Sequence, residues 1–344
     1  MIIQIIIFIK EIIYIFNNKF KKMNETINFL TQNDKSNFLK NNFKTLKYHS
    51  KYITYLSKLN DGRLASCSGD QRFNIYKKDS FELQLSFQIN SSYINSFTQL
   101  NDGKIIICSG DKTMKIIELI DDNNYKIKQI LIGHTKDIMK VIEINKNKLI
   151  SISCDNTLKI WILNKKNKFD CILNIIYQSN YSLYCNILKL NNKEFITSSC
   201  SDKNIKFWNL NNFSYITTIN NIITFTDFCE NICLLEKDLL CIGGCNSKGF
   251  YLIKISTHQL IKNIIVESKR IFSIFKCFDG LFLCSIEDQN GNNCIVKYKY
   301  EDLNLYKIFE KIKAHEQWIY SCIELNNGII ASGGVDSLIK LWKD

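Results

Sequence analysis

Short apolar runs alternate with small polar turns along most of this chain, and the unit they form repeats. Residues 149–161 read LISISCDNTLKIW, residues 195–208 read FITSSCSDKNIKFW, and residues 329–342 read IIASGGVDSLIKLW. Each is an apolar run, a small-polar turn containing Asp, and a short alternating segment ending in Trp. Runs of this length and period are β-strands, and a tight turn between two of them makes a hairpin. Weaker copies lie at 64–76, 105–117, 239–252 and 281–298. Their turn residues, taken with the first three, are Asp70, Asp111, Asp155, Asp202, Asn246, Asp288 and Asp336, spaced 41 to 48 residues apart.

Seven units of about 44 residues fit one four-stranded blade each. The fold expected is all-β: a seven-bladed β-propeller of four-stranded antiparallel blades. The chain ends in the third strand of the last blade, at Trp342, so an outer strand is missing there. Residues 41–48, NNFKTLKY, match the outer-strand segment before His134. They are expected to complete the last blade and close the ring, which removes the open edges that β-sheets must otherwise protect. The domain division expected is an N-terminal extension, 1–40, and a propeller, 41–344.

Spacing inside the unit is fixed as well. His49, His134 and His315 each precede their Asp by 21 residues, and Trp161, Trp208 and Trp342 follow theirs by six. The chain has four histidines, and three fall on this one position. A buried imidazole and carboxylate are costly unless hydrogen-bonded, so a repeated pair reads as a staple of each sheet. A catalytic triad would be needed once, not in several units. No catalytic residue is assigned.

From about residue 43 onward the chain resembles the WD40-repeat family. Gly133-His134 matches its Gly-His, and Trp342-Lys343-Asp344 stands where its Trp-Asp would be. The resemblance implies a hydrogen-bonded network in each blade. It would comprise His49, Ser66 and Asp70 in blade 1, with Tyr76 for Trp. Blade 3 would use His134, Ser151, Asp155 and Trp161; blade 4, Asp202 and Trp208; blade 7, His315, Ser332, Asp336 and Trp342. Blades 2, 4, 5 and 6 depart from it, with Asn90, Asn180, Phe225 and Glu267 in place of His. The resemblance also implies that the residue three after the His position opens the innermost strand on the narrow top face, where partners commonly bind. Its occupants are Tyr52, Tyr93, Asp137, Leu183, Phe228, Arg270 and Trp318. Four are aromatic, and aromatics and Arg dominate interface hot spots. Some of these rings could instead lie over the blade and fill space.

Composition changes this picture little. The formal net charge is +12, but the lysines are spread along the chain and no basic block is interleaved with aromatics. Proline is absent, and the chain is rich in Asn, Lys and Ile, which reads as codon bias. Fourteen cysteines are too dilute for a small disulfide scaffold. They read as small buried residues in a reducing, intracellular protein, cytoplasmic or nuclear. Cys229, Cys233, Cys241 and Cys245 resemble a four-Cys zinc set. On strands, however, residues four apart lie roughly 13 Å from each other, too far for one zinc. No metal or cofactor is expected. Residues 1–16, MIIQIIIFIKEIIYIF, are interrupted by Lys10 and Glu11 and fall short of a membrane span. They allow three readings: an extension upstream of a start at Met23, a peripheral element packed on the domain, or an anchor. The function expected is a non-catalytic protein-interaction scaffold, a subunit of a larger complex that grips a partner peptide or loop on its top face. The alternative is association with nucleic acid or an anionic surface through the basic balance; neither nucleic acid nor membrane is the favoured partner.

Overall fold

The computed structural model describes residues 42–177, 185–199, 204–220, 232–243 and 249–343. The repeated turn explains the repeated hairpin. In Ser68-Gly69-Asp70-Gln71 the Gln71 N–H donates to the Ser68 carbonyl at 3.3 Å, and Gln71 takes the left-handed conformation at φ 71°. Lys112, Asn156 and Ser337 repeat this at φ 70°, 68° and 65°. This is a turn followed by one left-handed residue, a common three-residue hairpin loop. Side chains there carry some backbone strain. The preceding Asp offsets it by accepting the next N–H: Arg72 to Asp70 at 2.9 Å, Thr113 to Asp111 and Thr157 to Asp155 at 3.0 Å, and Leu338 to Asp336 at 3.2 Å.

Seven four-stranded antiparallel sheets result. In blades 1 to 6 the strands follow sequence order. Blade 3, for example, runs Ile138–Asn145, Lys148–Ser153, Thr157–Leu163 and Phe169–Ile176. Blade 7 takes three strands from the C-terminus, Ile319–Glu324, Ile329–Gly334 and Ile339–Lys343, and its outer strand from Lys44–Leu46. Lys44, Thr45 and Leu46 pair with Leu341, Lys340 and Ile339. The expected ring closure is borne out.

First strands of neighbouring blades touch one another and so lie innermost. Second strands are almost wholly buried, while fourth strands face solvent. The core lies between blades rather than within them. Phe73 and Phe87 of blade 1 pack on Phe97 and Ile107 of blade 2; Leu46 and Leu341 of blade 7 pack on Ile53 and Tyr76 of blade 1. A bulge recurs between third and fourth strands at the position of the family Trp. It marks Ile117, Ile253 and Tyr298 as the occupants in the drifted blades 2, 5 and 6. No helix among the described residues is long and apolar enough to cross a membrane.

Candidate partner-binding face

Among the described residues, three blades hold a complete chain of hydrogen bonds. In blade 3 the His134 Nδ1–H donates to Asp155 at 2.8 Å, and His134 Nε2 lies 2.7 Å from the Ser151 hydroxyl. The Trp161 indole N–H donates to that hydroxyl at 2.9 Å. With burial disfavouring the charged ring and Nδ1–H given to Asp155, Nε2 is left to accept the Ser151 hydroxyl proton, as in a neutral Nδ1–H imidazole. Blade 7 repeats this with His315, Asp336, Ser332 and Trp342 at 2.9, 2.7 and 2.8 Å. Blade 1 uses Tyr76, whose hydroxyl meets Ser66 at 2.9 Å; His49 reaches Ser66 at 2.7 Å and Asp70 at 2.9 Å. Burial holds the His134 and His315 imidazoles below the ordinary histidine value. Burial pushes the Asp155 carboxyl up, but hydrogen bonds from His134, Thr157 and the Thr135 N–H outweigh it and hold the group below the usual range. Ser66, Ser151 and Ser332 are fully buried, so no substrate can reach these hydroxyls.

The drifted blades solve the same problem differently. In blade 2 Asn90 stands at the His position, buried, with neither side-chain amide atom hydrogen-bonded. The Lys115 ammonium takes over the Asp111 carboxylate at 2.7 Å. In blade 4 the Trp208 indole donates to Thr197 at 2.9 Å; Asp202 lies outside the described residues. In blade 6 Asp288 accepts from Asn290 and Asn292 of its own turn and from the Cys294 thiol at 4.0 Å.

Cys233 and Cys241 face each other across the first two strands of blade 5, and burial pushes the Cys233 thiol up to about 11. Cys229 and Cys245 lie outside the described residues. Elsewhere Cys277, Asp279 and Glu324 cluster, but the Lys297 ammonium already sits 2.8 Å from Asp279 and 3.7 Å from Glu324.

Backbone hydrogen bonds fix the top-face positions. In blades 1, 2, 3 and 7 the N–H of the residue before the turn Asp donates to the carbonyl three after the His position. Gly69 donates to Tyr52, Gly110 to Tyr93, Cys154 to Asp137 and Val335 to Trp318, at 2.8 to 3.0 Å. Tyr52, Tyr93, Asp137, Arg270 and Trp318 are all half-buried; Leu183 and Phe228 lie outside the described residues.

The five described side chains belong to consecutive blades and form an arc. The Arg270 guanidinium lies 4.7 Å from the Trp318 ring centre, and Trp318 packs on Phe272 at 5.6 Å. Phe272 leads to Tyr320 at 6.1 Å, and Tyr320 to Tyr52 at 6.3 Å. The Tyr93 hydroxyl donates to Asp137. Burial and the nearby Asp137 charge raise the Tyr52 phenol above its ordinary value. Sequence reasoning missed Phe272 and Tyr320, because each sits at a β-bulge, between Ile271 and Ser273 and between Ile319 and Ser321, where simple alternation along the strand breaks down.

Two of the rings do lie down. A Cβ on Gly69 would meet the Tyr52 ring at 2.5 Å, and one on Gly110 the Tyr93 ring at 2.7 Å. Each tyrosine covers the turn glycine of its own blade, and its outer face completes the arc.

This architecture is a closed, seven-bladed β-propeller. Residues 306–343, the outer strand of blade 6 and the three C-terminal strands of blade 7, match the family described as WD domain, G-beta repeat. The chain is similar in structure to the WD40 beta propeller domain of Doa1, with TM-score 0.70 and 18% identity, over 90% of this chain and 98% of that one. No curated protein matches it in sequence.

Proposed function

We propose that the chain is a non-catalytic interaction scaffold, a subunit of a larger protein complex, whose top face grips a peptide or loop of a partner. The observation that carries this reading is the arc from Arg270 through Trp318 and Tyr52 to Tyr93 and Asp137. It offers aromatic area, a guanidinium and a carboxylate, all half-buried, with Tyr52, Tyr93, Asp137 and Trp318 tied down by backbone hydrogen bonds. Rigid aromatics and Arg contribute most to protein interfaces, because little side-chain entropy is lost when they are covered. The His–Ser–Asp sets support a non-catalytic reading, since their hydroxyls are sealed and each imidazole is committed at both nitrogens.

The test is affinity purification of the tagged protein beside its Tyr52→Ala/Tyr93→Ala/Trp318→Ala variant, with circular dichroism to show that both fold. Partners recovered with the parent protein should drop at least about tenfold with the variant. Undiminished recovery with a folded variant refutes the reading. Recovery that collapses uniformly with added salt, and is indifferent to the variant, would favour anionic-surface association instead.

A further inference from the structure

On the face opposite the arc, a cavity of about 490 Å³ opens between blades 2 and 3. Leu100, Ile116, Leu163 and Phe169 form its apolar floor. Its back wall is rigid: the Gln129 side-chain amide donates to the Phe169 carbonyl at 2.7 Å and accepts the Phe169 N–H at 2.8 Å, bridging the blades as a strand would. The rim is equally well held. Asn164 accepts the Lys166 and Lys168 N–H groups at 2.8 and 3.0 Å, and the Leu163 N–H donates to Asn147 at 2.9 Å, tying the two loops together.

The charge around this cavity is one-sided. Five lysines and two acids line it. Both acids are engaged, Asp102 with Lys104 and Glu143 with the Asn101 N–H at 2.8 Å. Lys128 pairs with Glu118 at 3.0 Å. That leaves Lys146, Lys166 and Lys168, all exposed, with no carboxylate partner among the described residues. Three ammonium groups on ordered loops above an apolar floor are complementary to one kind of occupant. We infer that this cleft is a second docking site, for an acidic peptide segment carrying one aliphatic anchor. The anchor seats on Leu163 and Phe169, and the flanking carboxylates meet the three lysines. The site is independent of the top face.

The experiment is fluorescence anisotropy on the full chain, using a labelled peptide of about twelve Glu, Asp and Ser residues with one central Leu. Lys146→Glu/Lys166→Glu/Lys168→Glu should weaken binding at least about tenfold, because opposed charges are replaced by like ones. Lys51→Glu/Lys254→Glu/Lys343→Glu, the same charge change at exposed positions elsewhere, should leave binding within about twofold. Replacing the peptide Leu by Ala should cost about tenfold, the loss of one buried aliphatic side chain. The inference is overturned by any of four results: no binding to the parent protein, equal binding by the two triple variants, equal binding of the Ala peptide, or displacement of the Leu peptide by an equal concentration of oligouridylate. Thermal melts of both variants check folding, and Lys166→Gln alone, expected to weaken binding about threefold, serves if the triple change does not fold.

Discussion

Ring closure makes a sharp prediction about where the chain can be cut. Removing residues 1–36 leaves the closing strand intact; removing 1–50 deletes Lys44–Leu46 and His49 together. Leu46, 2% exposed, bridges blades 7 and 1 by packing on Ile53, Leu56 and Leu341. Its burial stabilises by about 2–3 kcal/mol. The strand ladder and the Phe43 N–H to Leu341 bond, at 3.0 Å, add about 1 kcal/mol for each hydrogen bond. Without His49, Asp70 and Ser66 lose a buried partner, which costs about 1–3 kcal/mol more. Ordering the segment offsets part of this, yet the remainder is still a large share of a domain's whole stability, about 5–15 kcal/mol. The bared edge at Ile339–Lys343 also invites pairing with another copy. Thermal melting by circular dichroism, with size-exclusion chromatography, should show the 37–344 protein melting like the full chain. The 51–344 protein should melt far lower or aggregate. Equal midpoints for the two truncations would refute the closure argument, and a collapse of the 37–344 protein would refute the expected domain boundary.

Two further predictions follow from the blade interiors. Burial depresses the native His134 and His315 values, so the unfolded chain takes up protons first as pH falls; stability should be full above about pH 6.5 and decline below it. Asp155 and Asp336, held below the ordinary carboxylate range, add a second loss below about pH 4. A melting temperature that stays flat from pH 7.5 to 5, or a His134→Asn/His315→Asn variant with the parent's slope, would contradict the neutral-imidazole assignment. Separately, Gly69→Ala should cost about 1–3 kcal/mol, because the new methyl meets the Tyr52 ring. Tyr52→Ala should relieve most of it, giving a coupling of about 1 kcal/mol or more in a double-mutant cycle by urea melts. Strict additivity would show that the ring does not lie on the turn.

Much of this molecule was legible because its physics is periodic. The alternation and the Asp spacing foretold seven hairpins, and the missing fourth strand pointed to residues 41–48. The blade staples were legible wherever His, Ser, Asp and an aromatic keep their spacing, as in blades 1, 3 and 7. Where one member changed, the replacement came from a position the pattern does not mark. Lys115 reaches Asp111 from four residues downstream, and Thr197 stands in for Ser beneath Trp208. The posture of Tyr52 and Tyr93 was hidden for another reason. Whether a ring stands up or lies down depends on what fills the space beneath it, and that space is the absent Cβ of Gly69 or Gly110. The signal existed: in these two blades a glycine precedes the turn Asp, and in both a tyrosine opens the first strand.

The drift of the blades and the composition of the arc are connected. Tyr52, Asp137 and Trp318 each follow a His anchored at both ring nitrogens, so their strand starts are held from within their own blades. Tyr93 and Arg270 open blades 2 and 6, which lack that His. Their side chains also lean on stapled neighbours, Tyr93 through its hydroxyl on Asp137 and Arg270 through its stack on Trp318. Within blade 6 Arg270 has an ion pair with Glu287, at 3.6 Å from its Nε, but no imidazole staple. The arc is therefore built of three fixed points and two side chains braced against them. Loss of a staple in blade 3 or 7 should loosen the top face across a blade boundary, at Tyr93 or Arg270, before it unfolds the blade that carries it.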